Sequence, residues 1–413
     1  MKVTVIGAGI GGLAVALACA RDGHEVTVVE KAEHFGEVGA GIQISPNGMR
    51  VLAWLGLVDD HLAVATTPER VVIRRWQDDT VIGVTSLGDD VIRRHDLPYT
   101  NVYRPDLIDV LVEGVRRQQS TRPESIDIVF GTTPVRICES SDGVDVTLST
   151  GDVVRAHVVI GADGIHSFVR DHLVGTGALD GASSRYSGYV AYRALVPRER
   201  VEDLPIEVTN RLGPDRHVVT YFVGRERRFL NIVAFVPETS WTLESWTEPG
   251  RLDDLMRAYE GWSPALGRLL AAVEPPVFRW AMHDRRPLPR WSDGRITLLG
   301  DACHAMLPFM AQGGCQALED AAVLTRCLHD IDPENSRAVT DALVRYENTR
   351  RERTAQIQGR SWRNATVFHL PDGPDQVRRD TEMSRRDPAE SLTHNDWLYG
   401  YDAVTAALHP PTD

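Results

Sequence analysis

The chain opens on a short apolar run, residues 2–6, mostly β-branched. Four glycines follow between Gly7 and Gly12, then an alanine-rich stretch over residues 13–21 that stops at Asp22-Gly23. β-Branched side chains suit a pleated strand and alanine suits a helix, so the pattern predicts strand, turn and helix in that order. Residues 25–30, Glu-Val-Thr-Val-Val-Glu, restart the strand pattern. Together these form the β-α-β opening of a doubly wound sheet. Ser45-Pro46-Asn47 predicts a further helix through Leu55, with serine as N-cap and proline tolerated at the first helical position.

From about residue 70 to 91 the pattern becomes strand-like and the helical period is lost. Arg104-Pro105 starts a helix through Val115, and strands are expected at 126–130, 143–148 and 153–160, the last ending in Gly161-Ala162-Asp163-Gly164. Between about 186 and 236 strands alternate with turns, most clearly on either side of Gly224-Arg225-Glu226. That block predicts an antiparallel sheet inserted between pieces of a nucleotide-binding domain. Residues 295–299 return to a buried strand ending in Gly300-Asp301, and helices follow at about 314–328 and 338–365. The expected fold is therefore α/β, with a Rossmann-type domain, an inserted mainly antiparallel β-sheet domain and C-terminal helices. Residues 1–69, 98–180 and 276–365 would form the first domain, 70–97 and 181–275 the second, and 366–413 a tail. Within the tail, residues 371–392 are polar and charged and read as a surface loop. Arg350, Arg351 and Arg353, beside Glu347 and Glu352, read as a salt-bridged helix surface or a subunit contact.

Composition narrows the function. The 413 residues carry a net charge of −13, which argues against a nucleic-acid partner, since phosphates need clustered cations. An anionic substrate would have to be met by a local cationic pocket. Five scattered cysteines with no Cys-x-x-Cys pair argue against a disulfide framework or a metal site and fit a reducing cytoplasm. Lys2 and the apolar stretch ending Ala18-Cys19-Ala20 superficially resemble a signal peptide, but the glycines and the strand restarting at Glu25 fit a strand–turn–helix better. No run is long and apolar enough to predict a membrane span.

Gly7, Gly9 and Gly12 have dinucleotide-binding spacing: the first allows a tight turn, the second lets backbone approach a pyrophosphate, and the third packs helix on strand. The helix start offers free N–H groups to phosphates. Glu30 closes the second strand, where an acid can hold ribose hydroxyls. A bare glycine-rich turn is the bland alternative. FAD is longer than a single nucleotide-binding half can satisfy, and two distant strand ends supply further groups: 161–167, with Arg170 beyond, and Gly300-Asp301-Ala302-Cys303-His304, with Pro308, Gly313 and Gly314 beyond. Each alone could be an ordinary strand-end turn. No second Gly-x-Gly-x-x-Gly occurs, so NADH or NADPH would bind transiently over a shared cleft.

Taken together, Gly7–Gly12, Asp163-Gly164 and Gly300-Asp301 resemble the three signatures of the class A flavoprotein aromatic hydroxylases, in order and spacing, from Met1 to about Asp402. Finer matches are Gly39-Ala40-Gly41-Ile42, Asn47, Tyr103-Arg104, Arg193 and residues 396–402; the last, with Asp215-Arg216-His217, look most like the salicylate and 6-hydroxynicotinate branch. The resemblance implies that Glu30 holds the adenosine ribose, with Lys31, Ala40 and Gly41 also at the cofactor. Arg104 would contact the FAD linker, Asp301 the ribityl chain, and Asp163 the region of nicotinamide and flavin phosphates. The helix after Gly313-Gly314 would aim its N-terminus at the flavin pyrimidine edge. It implies that NAD(P)H reduces FAD, that O2 adds to give a C4a-hydroperoxide, and that an electrophilic oxygen reaches an electron-rich ring, with decarboxylation where a carboxyl sits on the attacked carbon. A homodimer is compatible with this reading.

His217, Val219, Tyr221 and Val223 alternate along one strand and share a face. If that face looks toward the flavin, His217 and Tyr221 would anchor a carboxylate or help deprotonate a phenol or hydroxypyridine. The alternative is a solvated turn histidine and a half-buried core tyrosine. Gln43 and Phe309 stand where the 6-hydroxynicotinate enzymes resembled here carry histidines, which implies a less polar ring site. Cys303-His304 as a nucleophilic pair lacks an evident third orienting group. Two other classes stand beside this one: a flavin-dependent dehydrogenase, which could share all three signatures without using O2, and a dinucleotide-binding regulator without turnover.

Overall fold

The computed structural model describes residues 1–35, 40–175, 177, 183–239 and 248–408, so Gly39 of the Gly39-Ala40-Gly41-Ile42 match lies outside the described residues. Strands Ile126–Val129, Glu25–Val29, Lys2–Ile6, Val158–Gly161 and Ile296–Leu298 run parallel, side by side in that order, and Ser292–Asp293 closes the edge antiparallel. Apolar runs with little alternation suit such a sheet because both of its faces are covered. Helix Ile10–Arg21 packs beside Arg104–Thr121 and Gly313–Leu328. Ile137, Val144, Val146 and Leu148 of a three-stranded antiparallel sheet enter the same core.

The expected strand over 153–160 divides in two. Val153–Ala156 completes the small sheet, and Val158–Gly161 lies centrally in the large parallel one. His157 sits at the change, its N–H donating to the Lys2 carbonyl at 2.9 Å. Helix Gly88–His95 likewise interrupts the strand-like stretch 70–91.

A second sheet has eight strands in the order Glu248–Gly250, Val277–Asp284, Arg185–Pro197, Phe229–Pro237, Arg216–Val223, Val208–Gly213, Arg70–Arg75 and Val81–Ser86. All neighbours are antiparallel except Val208–Gly213 with Arg70–Arg75. Strand Val277–Asp284, grouped by the sequence with the nucleotide-binding pieces, pairs in this sheet. One face, with Val218, Phe222 and Ile232, is covered by Leu255, Leu266 and Leu269 of two short helices. The opposite face, with Ala191, Val233, Phe235 and Trp280, packs against Ala40, Leu307, Phe309 and Ala365 from the rest of the chain.

The tail also differs from expectation. Residues 371–392 contain helices Pro374–Ser384 and Pro388–Thr393 rather than one loop. Proline occupies the first turn of both, and Asp387 caps the second by accepting from Ala389 and Glu390 N–H. The polarity that suggested a loop is satisfied internally, since buried Arg379 and Asp380 are ion-paired at 2.7 Å.

Candidate active site

At the first turn, Gly7 has φ +101°, and a Cβ there would lie 2.6 Å from the Ala162 carbonyl oxygen. A Cβ on Gly12 would lie 1.9 Å from the Gly7 carbonyl oxygen, while one on Gly9 would meet nothing within 4 Å. The three glycines therefore divide their work as the spacing predicts: a bend, an open approach at the helix start, and tight packing. The Glu30 carboxylate accepts from Ala8 N–H at 2.7 Å and Ala32 N–H at 2.9 Å. It thereby ties the end of the second strand to the turn. Lys31 follows it and is exposed.

Asp163 follows strand Val158–Gly161, below the same turn. One of its oxygens accepts from Val169 N–H at 3.1 Å and the other, buried, has no partner. Burial pushes its carboxyl up, against hydrogen bonds from Ser167 and Val169. Asp301 is exposed to solvent and lines a cleft. The surrounding protein pushes its carboxyl up, opposed by His304 and Arg104. Helix Gly313–Leu328 begins nearby, after Ala311 in a left-handed conformation, and a Cβ on Gly313 would again meet open space. Arg104 begins the helix Arg104–Thr121, and its N–H donates to the Ala40 carbonyl. Two helix starts facing open space, an unpartnered buried carboxylate oxygen and an accessible carboxylate suit a long ligand with a pyrophosphate and a hydroxylated chain, as FAD has.

The inserted sheet supplies the other wall. Register places Ala191, Phe235 and His217 in one cross-strand row, Arg193, Val233 and Val219 in the next, and Leu195, Asn231 and Tyr221 in a third. His217 and Tyr221 do share a face, but four residues of strand separate them by about 13 Å, so they do not converge on one atom. His217 is buried, stacked on Phe235 with ring centroids 4.3 Å apart and edge-on to Phe309 at 5.1 Å. Its Nδ1 is hydrogen-bonded to His369 Nε2 at 2.6 Å. Burial holds the His217 imidazole well below its usual range, aided by His369, so it is neutral near pH 7. Tyr221 is pushed up by burial and remains a protonated phenol, with Arg193 opposing the shift. Its ring lies against Gly41, where a Cβ would sit 2.6 Å from Cε2, and Gly41 N–H donates to Asn231 Oδ1 at 2.9 Å.

Between the two walls lies a cleft open to solvent, bordered by Ile165, Asp301 and Pro308 on one side and Arg193, Trp280 and Met282 on the other. Arg193 was legible only as a match to relatives, and His369 and Trp280 gave no local signal. His369 lies 152 residues from its partner. Gln43 accepts from Tyr99 OH at 2.6 Å, and Phe309 packs on Phe235.

Cys303 and His304 do have a third group. His304 Nε2 is 2.6 Å from Asp320 Oδ2, and ligand-type atoms of all three lie within 4.8 Å of one another. Burial pushes the Cys303 thiol well up, and it donates to the Gly300 carbonyl, so it is not a nucleophile. Asp320 belongs to a buried charge cluster in which Arg350 contacts both Asp320 and Glu319, and Arg353 bonds Glu319. Burial alone would raise Asp320, but His304 and Arg350 outweigh it and hold the carboxyl at about 2. The expectation of an arginine-rich helix surface is thereby corrected: Arg350 is fully buried. Glu319 also accepts from Asn47 at 2.6 Å, which ties this cluster to helix Pro46–Trp54.

A family model described as an FAD binding domain matches residues 1–361. The chain is 38% identical over 411 residues to a 3-amino-4-hydroxybenzoate 2-monooxygenase of Streptomyces platensis, covering 98% of this chain and 96% of that protein. It is 33% identical over 415 residues to a 6-hydroxynicotinate 3-monooxygenase of Pseudomonas fluorescens, covering 99% and 97%. Klebsiella pneumoniae HpxO complexed with FAD and uric acid superposes with a TM-score of 0.82 at 27% identity, covering 99% of this chain and 97% of that one.

Proposed function

We propose, from the premise that the chain belongs to this FAD-binding-domain family, that its substrate is a small hydroxy-aromatic or hydroxy-heteroaromatic acid. The protein is an FAD-dependent aromatic monooxygenase with NADH or NADPH as co-substrate. Among the described residues no helix is long and apolar enough to cross a membrane. The observation that carries the substrate reading is the sheet face opposite Asp301, whose apolar rows are interrupted by a few polar groups, among them His217, Tyr221, Asn231, Asn210 and Arg193. Relatives acting on 3-amino-4-hydroxybenzoate and 6-hydroxynicotinate support it.

Bound FAD would supply oxygen activation and transfer to the ring. The residues present would do the rest. The N–H groups at the helix starts after Gly9 and Gln312 would meet the pyrophosphate and the flavin pyrimidine edge. Glu30 would accept from ribose hydroxyls, Asp301 from the ribityl chain, and Arg104 would lie along the linker. The Tyr221 phenol would donate to the substrate's oxygen, and neutral His217 would accept a proton at the far end of the face. Val219, Val233 and Phe235 would orient the ring and exclude water. The same reading assigns Arg185–Pro197 through Val277–Asp284 to the substrate domain and places the chain in a reducing cytoplasm, where its five free thiols would persist.

The test is cofactor oxidation and O2 uptake by the yellow, flavin-loaded protein across hydroxybenzoates, aminohydroxybenzoates and hydroxypyridine carboxylates. Stimulated turnover with an oxygenated product from one of these acids is expected. Loaded protein that stays unresponsive to every acid, while a neutral phenol turns over, would reject the acid.

A further inference from the structure

We infer that Arg193 is the anchor for the carboxylate of the aromatic substrate. The inference rests on the substrate reading above and adds to it the residue that selects for the acid. Arg193 projects from the centre of strand Arg185–Pro197 on the face that borders the cleft. Its guanidinium lies over the Trp280 ring at 3.6 Å from the centroid. Among the described residues it forms no ion pair, and its buried Nε has no hydrogen-bond partner. The charged and polar groups acting on it are Tyr221, a protonated phenol, and Arg104, a second cation, so neither neutralises it. Burial draws the guanidinium down to about 9, which leaves it protonated at neutral pH.

A cation shielded from water without a counter-ion is costly, and removing its partner from a buried pair is among the more destabilising changes in proteins. Two buried arginines here meet that cost internally, Arg350 with Glu319 and Asp320, and Arg379 with Asp380. Arg193 instead faces the place where a ligand enters. Stacking on the indole fixes the plane of the guanidinium and leaves its N–H edge available for a two-pronged grip on a carboxylate. Val233 and Val219 follow it in its cross-strand row, which runs on to Asn210. A ring seated on those valines would have its carboxylate at Arg193 and its ring oxygen toward Tyr221, one row on. The chain's overall charge of −13 repels such an anion, so affinity must come from a local cation of this kind.

The experiment titrates flavin-loaded protein with salicylate, 3-amino-4-hydroxybenzoate and 6-hydroxynicotinate, each beside its carboxamide, following the flavin absorbance. Wild type should bind at least one acid about 10-fold or more tighter than its amide. Arg193→Gln should weaken that acid about 10–100-fold, leave the amide nearly unchanged and keep its flavin; Arg193→Lys should recover part of the loss. Wild type that binds acid and amide equally overturns the inference without any variant. So does a variant that weakens both alike or loses its flavin, since the arginine would then serve the fold or the cofactor. If wild type binds none of the acids, the substrate reading falls as well. If it binds them and Arg193→Gln binds them equally, only the anchor falls.

Discussion

At the scale of single residues, the positions with least freedom are those where backbone meets backbone. A methyl group on Gly12 would sit 1.9 Å from a carbonyl oxygen of the same turn, and neither partner is a side chain that can swing away. Gly12→Ala should therefore displace the helix start and yield colourless protein, read as the ratio of flavin to protein absorbance. Gly41→Ala meets the Tyr221 ring and the Asn231 amide instead. Overpacking of about 1–3 kcal/mol is expected in denaturant unfolding. The two polar candidates on the sheet face separate by the same kind of reasoning. Tyr221 shares its surroundings with Arg193, whereas His217 is enclosed by Phe235, Phe309, Phe368 and His369. Tyr221→Phe should lower product formation about 100-fold with flavin retained. His217→Asn should lower turnover by less than Tyr221→Phe does, because the substrate's oxygen lies at the tyrosine end. The reverse ranking in steady-state kinetics would move the substrate's oxygen to the histidine end.

At the scale of elements, the buried cluster at the root of helix Gly313–Leu328 joins that helix to Ser336–Phe368 through Arg350 and, through Arg353 and the carbonyls of Trp397 and Leu398, to the tail. Arg350→Ala would remove the cation that Glu319 and Asp320 share, leaving Arg353 and His304 to balance two buried carboxylates. A loss of about 3–5 kcal/mol is expected in denaturant unfolding. This cluster also shows where sequence reading stops. Helix Ser336–Phe368 was legible as a helix, but its charged composition suggested exposure, because the carboxylates that bury Arg350 lie some thirty residues earlier in the chain. The β-α-β opening was legible because its signals are local: β-branched strands, glycine spacing and a closing acid. The split of residues 153–160 between two sheets was not, since alternation says nothing about which neighbour a strand will take. In the site, shared facing of His217 and Tyr221 could be read from period-two spacing, while their separation and the His217–His369 contact needed the tertiary fold.

At the scale of the whole molecule, charge sets two further expectations. A protein at −13 repels anionic substrates over about a Debye length. Association of an aromatic acid should therefore speed up as ionic strength rises from about 0.01 to 0.15 M, the opposite of a steered encounter, as stopped-flow flavin signals would report. Stability should also fall in mild acid. His24, His61 and His369 are each held at about 4 chiefly by burial, against an ordinary 6.5. Their folded-state values are depressed, so the unfolded chain binds more protons between those limits. Stability is full above about 6.5 and declines as pH drops toward 4, by about 1.4 kcal/mol per pH unit for each group. Melting temperatures measured across pH 7 to 4 check it.

The parallel sheet finally constrains how the molecule comes into being. Strand Val158–Gly161 receives its outer neighbour, Ile296–Leu298, only after the entire inserted sheet has been made. During synthesis on the ribosome its free edge stays open while more than a hundred residues emerge, roughly ten seconds or more at ordinary translation rates. In that interval the nascent chain presents an apolar strand edge of the sort that chaperones hold and that aggregates recruit. Faster translation of the inserted segment should therefore raise, and slower translation lower, the soluble yield.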